Sequence, residues 1–369
     1  MNLLVKNVLK VFNEKGISRE IGNIAVKDNL IVQEEELNIN EVEHIIDGKG
    51  QMAIPGLIDF HTHLFRTGSG FGLNADLLFS TGVTTAVDMG SAGRANYEAF
   101  HVSDIISRQM RIKTFLNISP IGQPGAGITE PLTDECFSPC DMEKIIDKYR
   151  NEIVGLKLRI SKNLVGKLGL HPLETAVKLG EKWKLPVAVH TTNPPSSTED
   201  IVKRLRPGDI FLHMYQGIGN TIIGDNGKVL PGIKQAQREG IIFEVGQGRM
   251  NFDLEVARKA LEDGFYPNII STDSTPRTLF IHEDMKNMPH MMSKFLNMGM
   301  PLQDVLQASL TKPAEVLGME NEIASLEPGT CADIVLFDFV LRDGKKKIVP
   351  RVTIAGGKVV YCQTDFQIE

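Results

Sequence analysis

Four histidines, a lysine and an aspartate stand on five separate apolar runs of this chain, and together they could build a metal centre. His61 and His63 close the run IPGLIDFHTH, where the period of two in a strand puts both imidazoles on one side. His190 follows LPVAV and His213 follows DIFL. Neutral imidazoles in this number suit Zn, Fe, Ni or Mn, whereas a lone histidine at a strand end is more often a satisfied core or rim residue. Asp273 follows NIIST; standing alone it would read as a helix cap or turn former.

Lys157 is the odd member, because it lies inside GLKLRI, where a protonated ammonium is costly to bury without a partner. Beside two cations the neutral amine is favoured, and it can add carbon dioxide to give a carbamate, an anionic two-oxygen bridge. The bland alternative is a lysine that snorkels outward or pairs with a neighbouring strand. Arg159, two residues on and hence on the same face, is placed to orient that bridge or a substrate carboxylate.

Other residues near these run ends are candidates for substrate contact. Arg66 stands in HTHLFRTG, Arg249 in GQGRMNF and Arg277 in DSTPRT, and one or two of Arg66, Arg159, Arg249 and Arg277 are expected to touch substrate. Tyr215 opens a loop, to Pro231, that reads equally as a lid or a surface hairpin; its hydroxyl would stabilise an oxyanion or simply pack. The glycines of GQG allow close backbone approach. His44, His101 and His171 read as structural, while His282 and His290 stay open. Cys136 and Cys140 form a C-x3-C with no second pair at matching spacing, so they read as loop thiols.

Eight apolar runs position these residues: Ala53 to Phe60, Thr84 to Met89, Lys113 to Ile118, Gly155 to Ile160, Pro186 to His190, Asp209 to His213, Ile241 to Val245 and Asn268 to Thr272. Amphipathic stretches alternate with them, among them Arg94 to Arg111, Pro172 to Lys182 and Pro231 to Glu239, the last two with proline in the first helical turn. Eight such units predict an α/β fold, a (β/α)8 TIM-type barrel over residues 54–325, with its active site at the carboxyl ends of the strands. Short strands at both ends of the chain predict a small β-sandwich domain from 1–53 plus 326–369.

Bulk properties exclude several classes. With 42% hydrophobic and 23% charged residues, a net charge of -6 and no basic stripe, the chain offers nothing to nucleic acid or an anionic membrane. Lys6, Asn7 and Lys10 interrupt the N-terminal apolar residues, so no signal peptide is expected, and the protein is expected in the cytoplasm. Assembly into homo-oligomers is left open by the sequence.

In combination these residues resemble the amidohydrolase superfamily, in its two-metal, carboxylated-lysine branch of dihydroorotases, hydantoinases and related deacetylases. The resemblance spans nearly the whole chain: the opening IPGLIDFHTH, the order His-x-His, Lys, His, His, Asp, and the closing SLEPGTCADIVLFD. It implies that His61, His63 and Asp273 hold the more buried of two divalent ions, Zn above Mn, Fe or Ni. His190 and His213 would hold the more exposed ion, with carboxylated Lys157 joining the two. A hydroxide between the ions would be the nucleophile, and Asp273 the catalytic group that takes and returns its proton.

The arginine that grips the substrate of a dihydroorotase is displaced here by one position, since Phe65 precedes Arg66. The closer likeness is therefore to the bacterial amidohydrolase and deacetylase group. It implies removal of a small acyl group such as acetyl from an α-substituted carboxylate, an N-acyl amino acid or O-acyl hydroxy acid. A cyclic amidase with the same centre is the rival enzyme. A silent scaffold is the rival of another class, although such proteins typically lose ligands and all six positions are filled here.

Overall fold

The computed structural model describes residues 2–12, 20–125, 127–281 and 287–363. Its first strands are β1 (Leu3–Lys10), β2 (Glu20–Lys27), β3 (Leu30–Val32), β4 (His44–Asp47) and β5 (Met52–Pro55). The middle of the chain carries β6 (Leu57–Thr62), β7 (Val83–Gly93), β8 (Arg111–Asn117), β9 (Ile153–Arg159), β10 (Val187–His190), β11 (Ile210–Leu212) and β12 (Ile242–Phe243). It ends in β13 (Ile334–Arg342), β14 (Lys345–Ala355) and β15 (Lys358–Cys362).

These strands sort into two sheets. One has seven strands in simple sequence order from β6 to β12, the order left by successive crossovers through helices. Its strands are buried along nearly their whole length, as VAVH of β10 and VTTAVDMGSAG of β7 illustrate. Both sheet edges meet the eighth apolar run, which makes only single bridges: Ile269 with Glu244, and Ser274 with Thr62. Further backbone bonds hold it there, from Val245 N to Ile269 O (3.0 Å), Gly248 N to Thr272 O (3.0 Å) and His63 N to Ser274 O (3.0 Å). The parallel sheet is thus curled, with one segment tied to both of its edges.

The other sheet has eight strands, in the order β15-β14-β13-β5-β1-β2-β3 with β4 on β1. Its core is Leu3, Val5, Val8, Ile24, Val26, Ile46, Ile334, Leu336, Val352 and Ile354 with their neighbours, all apolar. The first predicted run splits at Gly56: Met52–Pro55 pairs with β13, and the strand that leads to His61 starts only at Leu57. A Cβ at Gly56 would lie 2.1 Å from Thr84 Oγ1, so only glycine fits between them.

Packing divides the chain into two compact units, 1–59 with 76–85 and 287–369, and 60–75 with 86–286. Residues 54–59, 76–85 and 287–325, which the sequence places with the barrel, pack with the terminal segments.

The helices follow the predicted signals. His171–Trp183 has Pro172 in its first turn and buries Leu173, Ala176, Leu179 and Trp183 along one stripe. Asp253 caps Leu254–Glu262 by accepting from the amides of Glu255 and Val256. The stretch Arg94 to Arg111 is not one helix: a single α-turn at Tyr97–Phe100 widens into a π-turn at His101–Ile105. The Tyr215 to Pro231 loop contains a small hairpin, with Ile223 bridged to Val229 across a Gly224–Gly227 turn. No helix among the described residues is long and apolar enough to cross a membrane.

Candidate metal centre

The strand ends bring the candidate ligands together within the second unit. Asp273 Oδ1 lies 3.5 Å from His61 Nε2 and 3.2 Å from His63 Nε2. The imidazoles form a chain, with ring centroids 5.7 Å apart for His61 and His63, 5.0 Å for His61 and His213, and 4.4 Å for His190 and His213. Lys157 is fully buried rather than turned outward; a Cβ at Gly90 would meet its Cγ at 2.4 Å, so the lysine stem lies directly on that glycine. Among the described residues, two groups have ligand atoms close enough to hold an ion: His61, His63 and Asp273, and His61, His213 and Glu244.

The rings of His61, His63 and His213 are each fixed through Nδ1. His213 Nδ1 donates to the carbonyl of Gly246 (2.7 Å), which can only accept, so its Nε2 carries the lone pair. His61 Nδ1 faces Glu244 Oε1 at 3.0 Å, and His63 Nδ1 faces Ser91 Oγ at 2.9 Å. Hydrogen bonds behind the ring, which free Nε2 toward a common centre, are the usual support of metal-binding histidines. Asp273 is steadied by Asn251 Nδ2 on Oδ2 (2.9 Å), which leaves Oδ1 toward the rings.

The backbone is strained where it aims these groups. His213 (φ 62°) and Asp273 (φ 56°) both adopt the left-handed region although neither is glycine. Gly248 (φ 49°) runs so close to Asp273 that a Cβ would lie 2.2 Å from Oδ2, and a Cβ at Gly246 would lie 2.7 Å from Glu244 Oε1. The two glycines of GQG therefore serve close approach, as their sequence suggests.

Electrostatics match a site made for cations. Burial lowers Lys157 to about 7, against the pull of Asp273 and Glu244, so its amine is readily neutral. Burial and the neighbouring positive groups lower His213 to about 3, and push His61 and His190 well down. Burial works against the Asp273 carboxylate, but the surrounding histidines hold it below the usual carboxylate range. Four clustered imidazoles, a readily neutral amine and a carboxylate form a donor set that fits divalent ions.

The remaining candidates are dispersed. Arg159 pairs through Nη1 with Glu130 Oε1 at 3.1 Å, at the end of β9. Arg66 is committed elsewhere: its Nε and its backbone amide both bind Asp104 (2.6 and 3.1 Å), the reorientation expected from the one-residue shift after His63. Tyr215 is fully buried and its hydroxyl donates to Phe265 O at 3.3 Å, so it packs. Arg249 is exposed in the turn after β12, and Arg277 is exposed on the short helix Pro276–Phe280 after Asp273. His101 pairs with Glu152 and His171 with Asp134, and His290 lies on the helix Met288–Asn297; His282 lies outside the described residues.

Glu244 escapes the sequence reading. It is fully buried just beyond β12 and is caged by His61 Nδ1, the His213 backbone amide (3.2 Å) and the Ser271 hydroxyl. The signal is present in IIFEVG, a charged residue inside an apolar run, the same anomaly that singles out Lys157.

Comparison with known proteins agrees with this geometry. The model of the amidohydrolase family matches residues 52–360, and the chain belongs to that family. It is 33% identical over 309 residues to a deacetylase of Brucella anthropi, covering 81% of this chain and 74% of that protein. A deacetylase of Agrobacterium fabrum is likewise 33% identical over 309 residues, covering 81% of this chain and 73% of that protein. The structure is similar to that of a dihydroorotase (28% identical, TM-score 0.89, 98% of each chain). It is also similar to that of an adenine deaminase (25% identical, TM-score 0.88, 98% of this chain and all of that one). With this membership and its His/Asp group, the protein is a metal-dependent hydrolase of the family.

Proposed function

We propose that this chain is a two-metal deacylase that removes a small acyl group, such as acetyl, from an α-substituted carboxylate. The observation that carries the reading is the unbroken chain of imidazoles from His63 through His61 and His213 to His190, too long for one ion, with Asp273 at one end. The relatives named deacetylase support the choice of reaction within the family. In this reading the fold is a (β/α)8 barrel with 269–274 as its eighth strand, supported by that segment's bonds to both sheet edges. The small domain is a β-sandwich whose one core is lined by both ends of the same sheet.

In this reading His61, His63 and Asp273 hold one ion and His190 and His213 the other. Lys157 Nζ, made readily neutral by burial, would add carbon dioxide and lose a proton to become a carbamate, an anionic ligand that could help hold the ions. Zinc is the foremost choice of metal, with Mn, Fe or Ni accepted by the same donors. When bound, the ions supply Lewis acidity toward the acyl carbonyl and make water a competent nucleophile at neutral pH. Asp273 Oδ1 takes the proton of the attacking water and passes it to the leaving amine or alkoxide. Glu244, Ser91 and the Gly246 carbonyl keep the rings from turning while this happens.

Hydrolysis of N-acyl amino acids, O-acyl hydroxy acids, hydantoins and dihydroorotate by the metal-loaded protein tests the proposal. Deacylation is expected on the acyl compounds. Ring opening of dihydroorotate or a hydantoin without deacylation would select the cyclic-amidase reading. No turnover together with no bound metal would select the scaffold.

A further inference from the structure

Four buried polar atoms that lack a hydrogen-bond partner among the described residues belong to one short loop and the strand end it touches. They are Ser119 Oγ, Gln123 Oε1, Glu130 Oε2 and Arg159 Nε. Buried polar atoms left unpaired are costly, and of these four Arg159 Nε and the Ser119 hydroxyl can donate to an anionic ligand, whereas Gln123 Oε1 and Glu130 Oε2 only accept. Glu130 and Gln123 are themselves more than nine-tenths buried.

The loop is anchored on the metal centre. Gln123 N donates to the carbonyl of Ser91, whose hydroxyl faces His63, and Ser119 N donates to Asn117 Oδ1 at 2.9 Å, beside Lys157 in the sheet register. Arg159 pairs with His190 in register across β9 and β10, so its guanidinium rises from the rim next to that ligand. Glu130 occupies Nη1 only, which leaves the Nε and Nη2 edge of the fork uncommitted, while the side chain keeps 22% of its surface exposed. That edge has the geometry of a two-point carboxylate contact.

We propose that the Nε and Nη2 edge of Arg159, held in place by Glu130, is the subsite that binds the substrate's carboxylate. The inference rests on the deacylase reading and narrows it. Glu130 Oε2 and Gln123 Oε1 are acceptors, so a ligand with a second acid group meets repulsion, and the site selects acylated monocarboxylates. Arg66 is excluded by its engagement with Asp104.

The test compares N-acetylalanine, both enantiomers, with its primary carboxamide. Metal-loaded enzyme is expected to prefer the acid by roughly 10- to 100-fold in kcat/KM, the worth of a charged two-point contact. In Arg159→Met/Glu130→Gln, which removes both charges together, that preference should collapse through KM with metal content unchanged. Arg159→Lys should restore only part of it, since an ammonium lacks the fork. An unchanged preference in the double variant, or its loss in Arg249→Met or Arg277→Met instead, would overturn the assignment.

N-methanesulfonylalanine, inert to deacylation, and its carboxamide give the same comparison by calorimetric binding, free of any turnover. Arg159-dependent binding of the acid by a protein that deacylates nothing would keep the subsite and remove the deacylase. Deacylation that ignores Arg159, with calorimetric binding that ignores it too, would do the reverse.

Discussion

The two sheets of this protein are both buried, yet for opposite reasons. The eight-stranded sheet hides Leu3, Val5, Ile24, Val26, Ile334 and Leu336, side chains whose burial contributes about 1.5–3 kcal/mol each. The curled parallel sheet hides His61, Lys157, His213, Glu244 and Asp273 at its strand ends, where burial costs stability unless cations compensate it. One region is stable because of what it buries; the other is tolerated because of what it binds. Within the polar cluster, His213 and Asp273 also hold a left-handed backbone that side chains rarely adopt.

The sharpest way to break this contrast is Lys157→Met. If the lysine serves the metals, the variant should lose activity by on the order of a thousandfold or more, and one ion per chain on metal analysis. Its metal-free form should nonetheless be more stable than the metal-free parent, by about 1–4 kcal/mol in urea unfolding, because a buried amine has become a buried thioether. The sign with pH follows from the lowered value of about 7 against the ordinary 10.5. Between those values the unfolded chain holds a proton that the folded chain has released, so metal-free stability rises as pH climbs from about 7 toward about 10.5, and the variant lacks this slope.

His213 acts in the same sense at lower pH. Its ring is neutral in the fold down to about 3, so stability falls as pH drops from 6.5 toward that value. Urea titrations of chelator-treated protein across pH would read both slopes, and a flat profile would mean that the cluster is not buried as described.

Leu336→Ala addresses the other sheet. Truncation of this fully buried side chain should cost about 2–5 kcal/mol of global stability and leave metal content and kcat/KM near those of the parent. Loss of metal in this variant would show that the two regions do not answer separately.

Much of this was legible in the sequence because the informative residues break a pattern. His61, His63, Lys157, His190, His213 and Asp273 interrupt or terminate apolar runs, and strand periodicity alone indicates which of them share a face. The split at Gly56 is marked in the sequence only by Pro55-Gly56, since the apolar residues on either side of that pair read as one continuous run. The destination of Arg66 depends on Asp104, 38 residues away, inside a helix whose π-turn no local signal announces. Arg159 was legible as a face-sharer of Lys157, but its partner Glu130 lies in a loop with no periodicity, and only the fold joins them.

Glu244 is where the contrast can be measured most finely, because Glu244→Gln changes charge with almost no change of shape. The glutamine can still offer its oxygen to the ring of His61, but its amide then faces the backbone N–H of His213, donor against donor. Supporting groups of this kind are worth about 10- to 100-fold in metal affinity, which chelator competition would read. Removing a buried charge should at the same time leave the metal-free fold no less stable. If affinity is unchanged and only the metal-free fold weakens, Glu244 belongs with the structural burial of the other sheet, and the line drawn between the two regions must move to exclude it.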